Sequence, residues 1–269
     1  MHYEKDENLR GKNMRIRGIS PLSLFSIVFF LLMWYVVSLY FPPSLLASPE
    51  AVIYRFYDLA TRGFAKLTLF QHIGVSLTRV LMGFALAAVT GVPLGLLMGW
   101  YKKVEQIVDP IFEIFRPIPP IAWIPLAILW FGIGEISKIY VIFIGGFVAC
   151  VINSYAAIKT TPEILIRAAR SLGASDRDIL LEVAIPHSIP YIFSAFRIAL
   201  GAGWMTLVAA EMIASSSGLG FLILMGREWI LSDLIIAGML TIGIIGYLMD
   251  FVLRKIEERI CPWRGKVQH

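Results

Sequence analysis

The chain has 269 residues, of which 58% are hydrophobic and 16% are charged, and its formal net charge is +5. A soluble domain carries about a quarter charged residues, so this composition points to lipid as the solvent, as does the mean hydropathy of +0.74. The basic residues lie at the edges of apolar runs rather than on one polar face, which argues against nucleic-acid binding.

The first predicted element is an apolar span that follows the polar residues 1–18. This run contains Leu22–Tyr40, is too long for the apolar part of a signal peptide and has no clear small-residue cleavage site. We therefore expect a retained first span. Ser48, followed by proline, then predicts a short amphipathic helix from about Pro49 to Thr61, lying along the outer surface.

Five further apolar segments complete a pattern of six spans, each near the ~20 residues that a bilayer core requires. They are Val80–Tyr101, Pro117–Gly134, Ile139–Ile158, about Ile189–Ala210 and the segment between Asp233 and Asp250. Four prolines crowd the start of the third span, so its helix either begins before them and kinks or begins after Pro120. The sequence thus predicts an all-α membrane protein with six transmembrane helices.

Lysine and arginine predict the orientation of these spans. Four segments hold 17 of the 24 basic residues: the two tails and the loops after the second and fourth spans. All four fall on one side of a six-span chain, and the positive-inside rule makes that side the cytoplasm. Both termini are therefore predicted to be cytoplasmic.

The cytoplasmic loop after the fourth span is the most informative segment, because it is too long and too polar for a simple connection. Its first residues predict a helix start, with Thr161 as the cap and Pro162 at the first helical position. This helix, Glu163–Leu172, is expected to end at Gly173, which can take a left-handed conformation.

A second helix of the same loop is expected to start at Ser175 and Asp176 and to stop at Pro186. The loop is therefore predicted to be a helix–glycine–helix hairpin. The small side chains of Ala168 and Ala169 keep its tip narrow enough to enter a groove on another protein.

The spacing within this hairpin resembles the EAA loop of the inner-membrane permeases of ABC importers. That pattern is Glu-Ala-Ala, three residues, Gly, nine residues and Ile-x-Leu-Pro. Arg167 stands in place of the leading Glu, so a contact made by that Glu in relatives does not carry over to this chain from the resemblance. The resemblance assigns coupling to an ATPase to eight residues: Arg167, Ala168, Ala169, Gly173, Ala174, Asp176, Ile185 and Pro186.

The resemblance extends from about Gln71 to Glu258. Three stretches look like the branch of the family that imports nitrate, sulfonates, taurine or bicarbonate: Arg116–Leu126, Leu129–Gly134 and Trp204–Met212. It implies a type I ABC importer permease fold in the cell inner membrane. The chain then divides into a cytoplasmic tail (1–18), a first span with an external segment (19–70), a permease core (71–258, with the coupling loop 159–188) and a second cytoplasmic tail (259–269).

The partners implied by the resemblance are a second permease copy in a homodimer, two ATP-binding subunits and an external substrate-binding protein. The chain has no Gly-rich loop ending in Gly-Lys-Ser/Thr. ATP and Mg²⁺ are therefore expected to bind to the partner ATPase. No cofactor, catalytic residue or metal site is predicted in this chain, because no His/Cys/Asp cluster has metal-ligand spacing.

Two charges lie within or at the end of the fifth span, where charges face protein or water. Arg197 is expected either to attract an anion or, as is more common, to snorkel or form a structural pair. Glu211, with Ser215 and Ser216, is a candidate for the outer gate, although helix ends also tolerate carboxylates.

Three further residues are candidates for the translocation path. Pro120 belongs to the proline-rich stretch, which either shapes a kinked pore-lining helix or only breaks the helix. Trp123 and Trp204 either line the path or, as is commoner for tryptophan, anchor the chain at the membrane interface.

A stripe of small residues in the second span repeats every four positions. It consists of Gly83, Ala87, Gly91, Gly95 and Gly99. Such a stripe lets another helix approach closely, and packing is its expected role, although a sliding surface remains the alternative.

Two other classes of protein are alternatives to an ABC permease. A stand-alone channel or secondary transporter would more often show paired inverted halves, and we find no such repeat. An intramembrane enzyme would need a nucleophile and base or a set of metal ligands within the spans, and the sequence has neither. The substrate is left open among the small anions and zwitterions of the family branch.

Overall fold

The computed structural model describes residues 21–262, and this range is almost entirely helical, with no strand. Its helices are α1 (Pro21–Ser38), α2 (Pro49–Thr61), α3 (Leu69–Trp100), α4 (Lys102–Phe115), α5 (Ile124–Phe131), α6 (Glu135–Lys159), α7 (Glu163–Ser171), α8 (Asp176–Ala214), α9 (Leu219–Glu228) and α10 (Ser232–Ile260). A 3-10 turn, Pro120–Trp123, precedes α5. The predicted tail 1–18 and most of the tail 259–269 lie outside the described residues.

Four helices, α3, α6, α8 and α10, are each long and apolar enough to cross a bilayer. The segments Lys102–Phe115 and Pro120–Phe131 meet that criterion only as a pair, which is bent by 83°. α1 is apolar but shorter. By length and composition the described residues thus hold four spanning helices, or five if the bent pair is one span. The count of six and the cytoplasmic termini stay predictions.

The bend between α4 and α5 lies at the prolines, and helix is present on both sides of it. Of the two predicted alternatives, a helix that begins before the prolines and kinks is therefore confirmed, and the segment predicted as the loop after the second span is mostly helical. Ile107, Ile111 and Ile114 follow a helical period along one exposed face, a signal that the charged residues between them concealed. Closely spaced prolines lack the N–H groups that would continue the helix, so the chain turns there.

α2 has the predicted bounds, and the predicted cap is confirmed. The side chain of Ser48 accepts a hydrogen bond from the backbone N–H of Ala51 at 3.3 Å, and proline occupies the first turn. Arg55 on this helix pairs with Asp233 at the start of α10 at 2.7 Å. Leu59 is fully buried in the main core, so α2 is fixed to the start of α10 by both charge and packing.

The stripe of small residues is a packing surface, as predicted. α3 lies along α6 through this stripe. A Cβ atom at Gly91 would lie 2.8 Å from the Cβ of Cys150, and one at Gly99 would lie 2.7 Å from the Cβ of Ile158. Real Cβ atoms do not approach this closely, so only glycine allows the observed separation of the two helices.

Gly91→Ala is therefore expected to destabilise the chain by about 1–3 kcal/mol, the usual effect of overpacking. Gly201→Ala is the matched control, because a Cβ there meets nothing within 4 Å. Alanine also favours helix over glycine, so the control is expected to be neutral or stabilising. Thermal unfolding of both variants in detergent measures the difference. Equal melting temperatures would contradict the packing role of Gly91.

The start of the hairpin differs from the prediction by one residue. Thr161 does not cap α7: Pro162 occupies the cap position without a side-chain hydrogen bond, and the hydroxyl of Thr161 is buried without a partner among the described residues. The backbone N–H of Thr161 instead donates to the carbonyl of Ile158 at 3.1 Å. Thr161 is thus part of the turn that ends α6, which displaces the cap to the next residue.

The second helix of the hairpin does not stop at Pro186, contrary to the prediction. It starts at Asp176 with Ser175 as a capping box, as expected, but continues to Ala214. A π-helical turn, Leu180–Ala184, ends two residues before the proline. The wider turn replaces the regular hydrogen-bond ladder in which proline's missing N–H would break the helix. The second helix of the hairpin and the fifth span are therefore one helix.

Candidate functional site

The tip of the hairpin is a helix end closed by glycine. Gly173 has φ +86°, as predicted, and a Cβ there would meet nothing within 4 Å. The N–H of Gly173 donates to the carbonyl of Arg170, and the N–H of Ala174 donates to the carbonyl of Ala169, both at 3.1 Å. These two bonds form a Schellman motif, which reverses the chain within two residues.

The charged residues of the hairpin pair with each other. Arg167, in the position of the family's Glu, forms an ion pair with Glu163 one turn earlier at 2.6 Å. Arg170 pairs across the turn with Asp176 at 2.9 Å. All four side chains are largely exposed, so these pairs position the hairpin but add little stability.

An apolar surface is exposed on the hairpin. Leu172, beside the glycine, is 89% exposed, and Ile164 and Leu165 on α7 are also exposed. Ala168 is exposed and Ala169 is half-buried, so the small residues border this surface. Exposed leucine and isoleucine on a polar hairpin are typical of a docking surface for another protein.

The structure separates the eight predicted coupling residues into two groups. Six of them, from Arg167 to Asp176, lie at the hairpin tip, whereas Ile185 and Pro186 lie on α8 beyond the π-helical turn. Ile185 packs on a small core that contains Ile158 and Leu180. This core anchors the hairpin to the ends of α3 and α6. No observation tests the coupling roles of these residues, which stay predictions.

A second polar site is buried near the start of α3, at the end opposite the hairpin. Arg79, 3% exposed, pairs with Glu211 at 2.7 Å and with the half-exposed Glu135 at 2.5 Å. Its remaining N–H groups donate to the carbonyl and hydroxyl oxygens of Ser217. We call Arg79, Glu135 and Glu211, with Ser76 and His72, the Arg79 cluster. It joins α3, α6, α8 and the turn before α9.

The Arg79 cluster also caps α9. Three successive backbone N–H groups at the start of α9 donate to side chains: Gly218 to His72 Nδ1, Leu219 to Ser76 Oγ and Gly220 to Glu211 Oε2, at 3.0, 2.9 and 2.9 Å. A helix N-terminus favours negative charge, so the carboxylate is stabilised there as well as by arginine. Because Nδ1 accepts from Gly218, the ring proton is on Nε2, which donates to Phe64 at 3.1 Å.

Sequence reasoning missed most of the Arg79 cluster. Arg79 directly precedes the predicted span Val80–Tyr101 and so lies outside it, whereas in the structure it lies in the first third of α3. One signal could have identified it. His72, Ser76 and Arg79 are spaced by four and three residues, which places their side chains on one face of a helix.

The candidate gate residues lie beside this cluster. Glu211 is fully buried, with both oxygens hydrogen-bonded. Ser215 donates to the carbonyl of Ser217 at 2.6 Å, and Ser216 is exposed. Contact of Glu211 with a substrate would thus require this turn to open, and the gate stays a prediction.

Arg197 forms an ion pair within the chain, which was one of the alternatives considered from the sequence. Its Nε donates to Asp250 Oδ1 on α10 at 2.7 Å, and Arg254 pairs with the other oxygen of the same carboxylate. Arg197 is nevertheless exposed on one face of α8. Attraction of an anion by Arg197 stays a prediction.

The remaining path candidates have different surroundings. Trp204 is buried against α10, where its indole donates to the carbonyl of Ile242 at 3.2 Å, so substrate could reach it only if α8 and α10 separated. Trp123 is half-buried beside Phe115, and its indole N–H has no partner among the described residues. Pro120 is half-buried at the bend. Their path roles stay predictions.

A comparison with protein families decides the family of the chain. Residues 91–261 match the model of the binding-protein-dependent transport system inner membrane component. The chain belongs to this family of ABC importer permeases. The matched range holds the bent pair, the hairpin and α8, and ends just after α10.

Individual permeases are similar over most of the chain. The taurine transport system permease protein TauC of Escherichia coli is 40% identical over 92% of this chain and 91% of its own length. The putative aliphatic sulfonates transport permease protein SsuC of Bacillus subtilis is 33% identical over 84% and 80%. The nitrate import permease protein NrtB of Synechocystis is 36% identical over 83% of both chains.

A solved permease has the same fold. An inward-facing structure of the MetNI methionine ABC transporter superposes with a TM-score of 0.64 at 22% identity, covering 71% of this chain and 95% of that chain. The type I importer permease fold is thereby confirmed.

Family membership gives this permease its general setting. Such permeases are inner-membrane components, are not enzymes themselves and work with a separate ATPase subunit. The family also implies a substrate-binding protein and a dimeric assembly. These implications favour the ABC permease over the stand-alone transporter and the intramembrane enzyme weighed from the sequence.

Proposed function

We propose that two copies of this chain form the path by which an ATP-driven importer moves a small anion or zwitterion across the membrane. The substrate class is that of nitrate, bicarbonate, taurine and alkanesulfonates. The similarity to permeases named for taurine, aliphatic sulfonates and nitrate supports this class. The observation that carries the proposal is the glycine-closed hairpin, with its exposed apolar surface, on a chain whose family requires an ATPase.

The proposed mechanism is alternating access. Closure of the ATPase subunits brings the two hairpins together, and because the second helix of each hairpin is continuous with the span, α8 tilts with it. The two copies then open to the outside, accept substrate from the binding protein and return after hydrolysis. Arg197, Glu211, Ser215, Ser216, Pro120, Trp123 and Trp204 are the proposed path or gate residues.

The substrate class is tested with the full complex, reconstituted with its ATPase and binding protein in liposomes. We expect ATP-dependent uptake of at least one labelled member of the class among taurine, an alkanesulfonate, nitrate and bicarbonate. Uptake driven by an ion gradient without ATP would overturn the mechanism. ATP-dependent uptake of none of the four would overturn the substrate class alone.

The hairpin role is tested by Gly173→Val. A β-branched residue is strained at φ +86°, so the turn is expected to distort and substrate-stimulated ATPase activity to fall about 10-fold. Gly132→Val is the control for a general loss of stability. Gly132 also has a positive φ, +74°, and a Cβ there would meet nothing within 4 Å, but it lies away from the hairpin. Wild-type coupling in Gly173→Val would contradict the role of the turn.

A further inference from the structure

A cavity of about 560 Å³ lies between the hairpin and the junction of α3 with α4. Its lining is Trp100, Tyr101, Lys102 and Lys103 on one side and Ile166, Arg170 and Asp176 on the other. The cavity therefore has one wall on the membrane-spanning bundle and one wall on the hairpin. About 20 residues of α3 separate the cavity from the Arg79 cluster. None of the proposed path residues lines the cavity.

The lining has an excess of positive charge. Arg170 is already neutralised by Asp176 at 2.9 Å. Within residues 21–262, the ammonium groups of Lys102 and Lys103 form no hydrogen bond and no ion pair, and Lys102 interacts with Glu105 only over a longer distance. The nearby carboxylate of Glu105 binds the hydroxyl of Tyr155 and the ammonium of Lys159 instead. Two ammonium groups are thus left to bind an anion in the cavity.

An exposed apolar stripe leads along α3 to the same cavity. Its members are Met82, Leu86, Val89, Pro93, Leu97 and Tyr101, spaced by three or four residues so that they share one helix face. Tyr101 and the adjacent Trp100 end the helix and line the cavity. Aromatic side chains next to lysines at the end of an apolar helix mark the level of lipid headgroups.

We propose that this cavity binds the headgroup of an anionic phospholipid whose acyl chains lie along the stripe. Lys102 and Lys103 contact the phosphate, and Trp100 and Tyr101 contact the glycerol region. The apolar stripe favours a lipid over free phosphate, because an inorganic ion would make no use of it. Basic pockets between spans at the cytoplasmic side are known binding sites for such headgroups.

An effect of the bound lipid on coupling rests on the proposed function, in which the hairpin contacts the ATPase. A headgroup held between Lys102 and the hairpin residue Arg170 links the moving hairpin to the bilayer. Anionic lipid would then support coupling between ATPase and permease. The chain would bind the lipid whether or not it transports, so binding and transport are measured separately.

The test uses the full-length chain purified with its ATPase. Phosphatidylglycerol retained by the complex is measured by native mass spectrometry and by titration in phosphatidylcholine vesicles. Lys102→Gln/Lys103→Gln is expected to weaken binding of phosphatidylglycerol about 30-fold, the contribution of two lysines near an anionic surface. Lys255→Gln/Arg259→Gln is the matched control, because it removes the same charge from the exposed end of α10.

Each outcome decides the proposal. Loss of phosphatidylglycerol in the first variant and retention in the control support it. Equal binding by both variants overturns it. If millimolar inorganic phosphate displaced bound phosphatidylglycerol as effectively as added lipid does, the cavity would be a free-phosphate site instead. Loss of the ATPase from the first variant in neutral detergent would identify a contact with the ATPase. Failed transport with intact lipid binding would count against the proposed function alone.

Discussion

Glu211→Gln is expected to lower the free energy of unfolding by about 3 kcal/mol or more, as is usual when one partner of a buried ion pair is removed. The substitution keeps the volume of the side chain and removes only its charge. Arg79 would then rely on the half-exposed Glu135, and the start of α9 would lose a charged acceptor. Reversible denaturation in mixed micelles measures the change.

A double-mutant cycle tests the cause of this loss. Arg79→Gln removes the buried cation, so the double variant is expected to be clearly more stable than the sum of the two single effects predicts. Glu163→Gln is the control, because it breaks an ion pair of similar length on the exposed hairpin and is expected to have no measurable effect. Strict additivity of the Arg79 and Glu211 effects would refute the coupling.

Leu172→Asp is expected to reduce substrate-stimulated ATPase activity of the assembled transporter about 30-fold. Leu172 is 89% exposed, so the change leaves the fold intact but places a charge on the proposed docking surface. Burial of an unpaired charge at the centre of an interface costs about 2 kcal/mol or more, which corresponds to that factor. Co-purification of the ATPase with the variant gives the binding effect directly.

The control for this substitution is Leu45→Asp. Leu45 is 69% exposed and lies at the opposite end of the molecule, close to the start of α10. It is expected to retain both ATPase binding and stimulation. Wild-type activity in Leu172→Asp, or equal losses in the two variants, would show that the tip of the hairpin is not the docking surface.

The parts of the fold that depend on local chemistry were predicted well. Ser48 and the proline after it define the start of α2 to the residue. Gly173 was identified because only a left-handed residue closes a Schellman turn at low cost. The glycine stripe predicted a close helix contact because its spacing alone defines a smooth face.

Features that depend on distant residues were not predictable from one sequence. The partner of Arg79 is 132 residues away, so no local pattern identifies it. The same holds for His72, whose role as a cap for α9 depends on how α3 packs against the turn at Gly218. Pro186 was expected to end a helix, because the sequence gives no sign of the wider turn before it.

The π-helical turn of α8 also sets the direction in which the hairpin points. Each residue of an α-helix advances the side-chain direction by about 100°. Because Leu180–Ala184 holds one residue more than a regular turn, everything before it is rotated by that angle relative to the span. Deletion of one residue there would turn the surface around Leu172 by about a quarter-turn relative to the span. The proposed docking surface and the span thus share a single angular register, fixed by one extra residue.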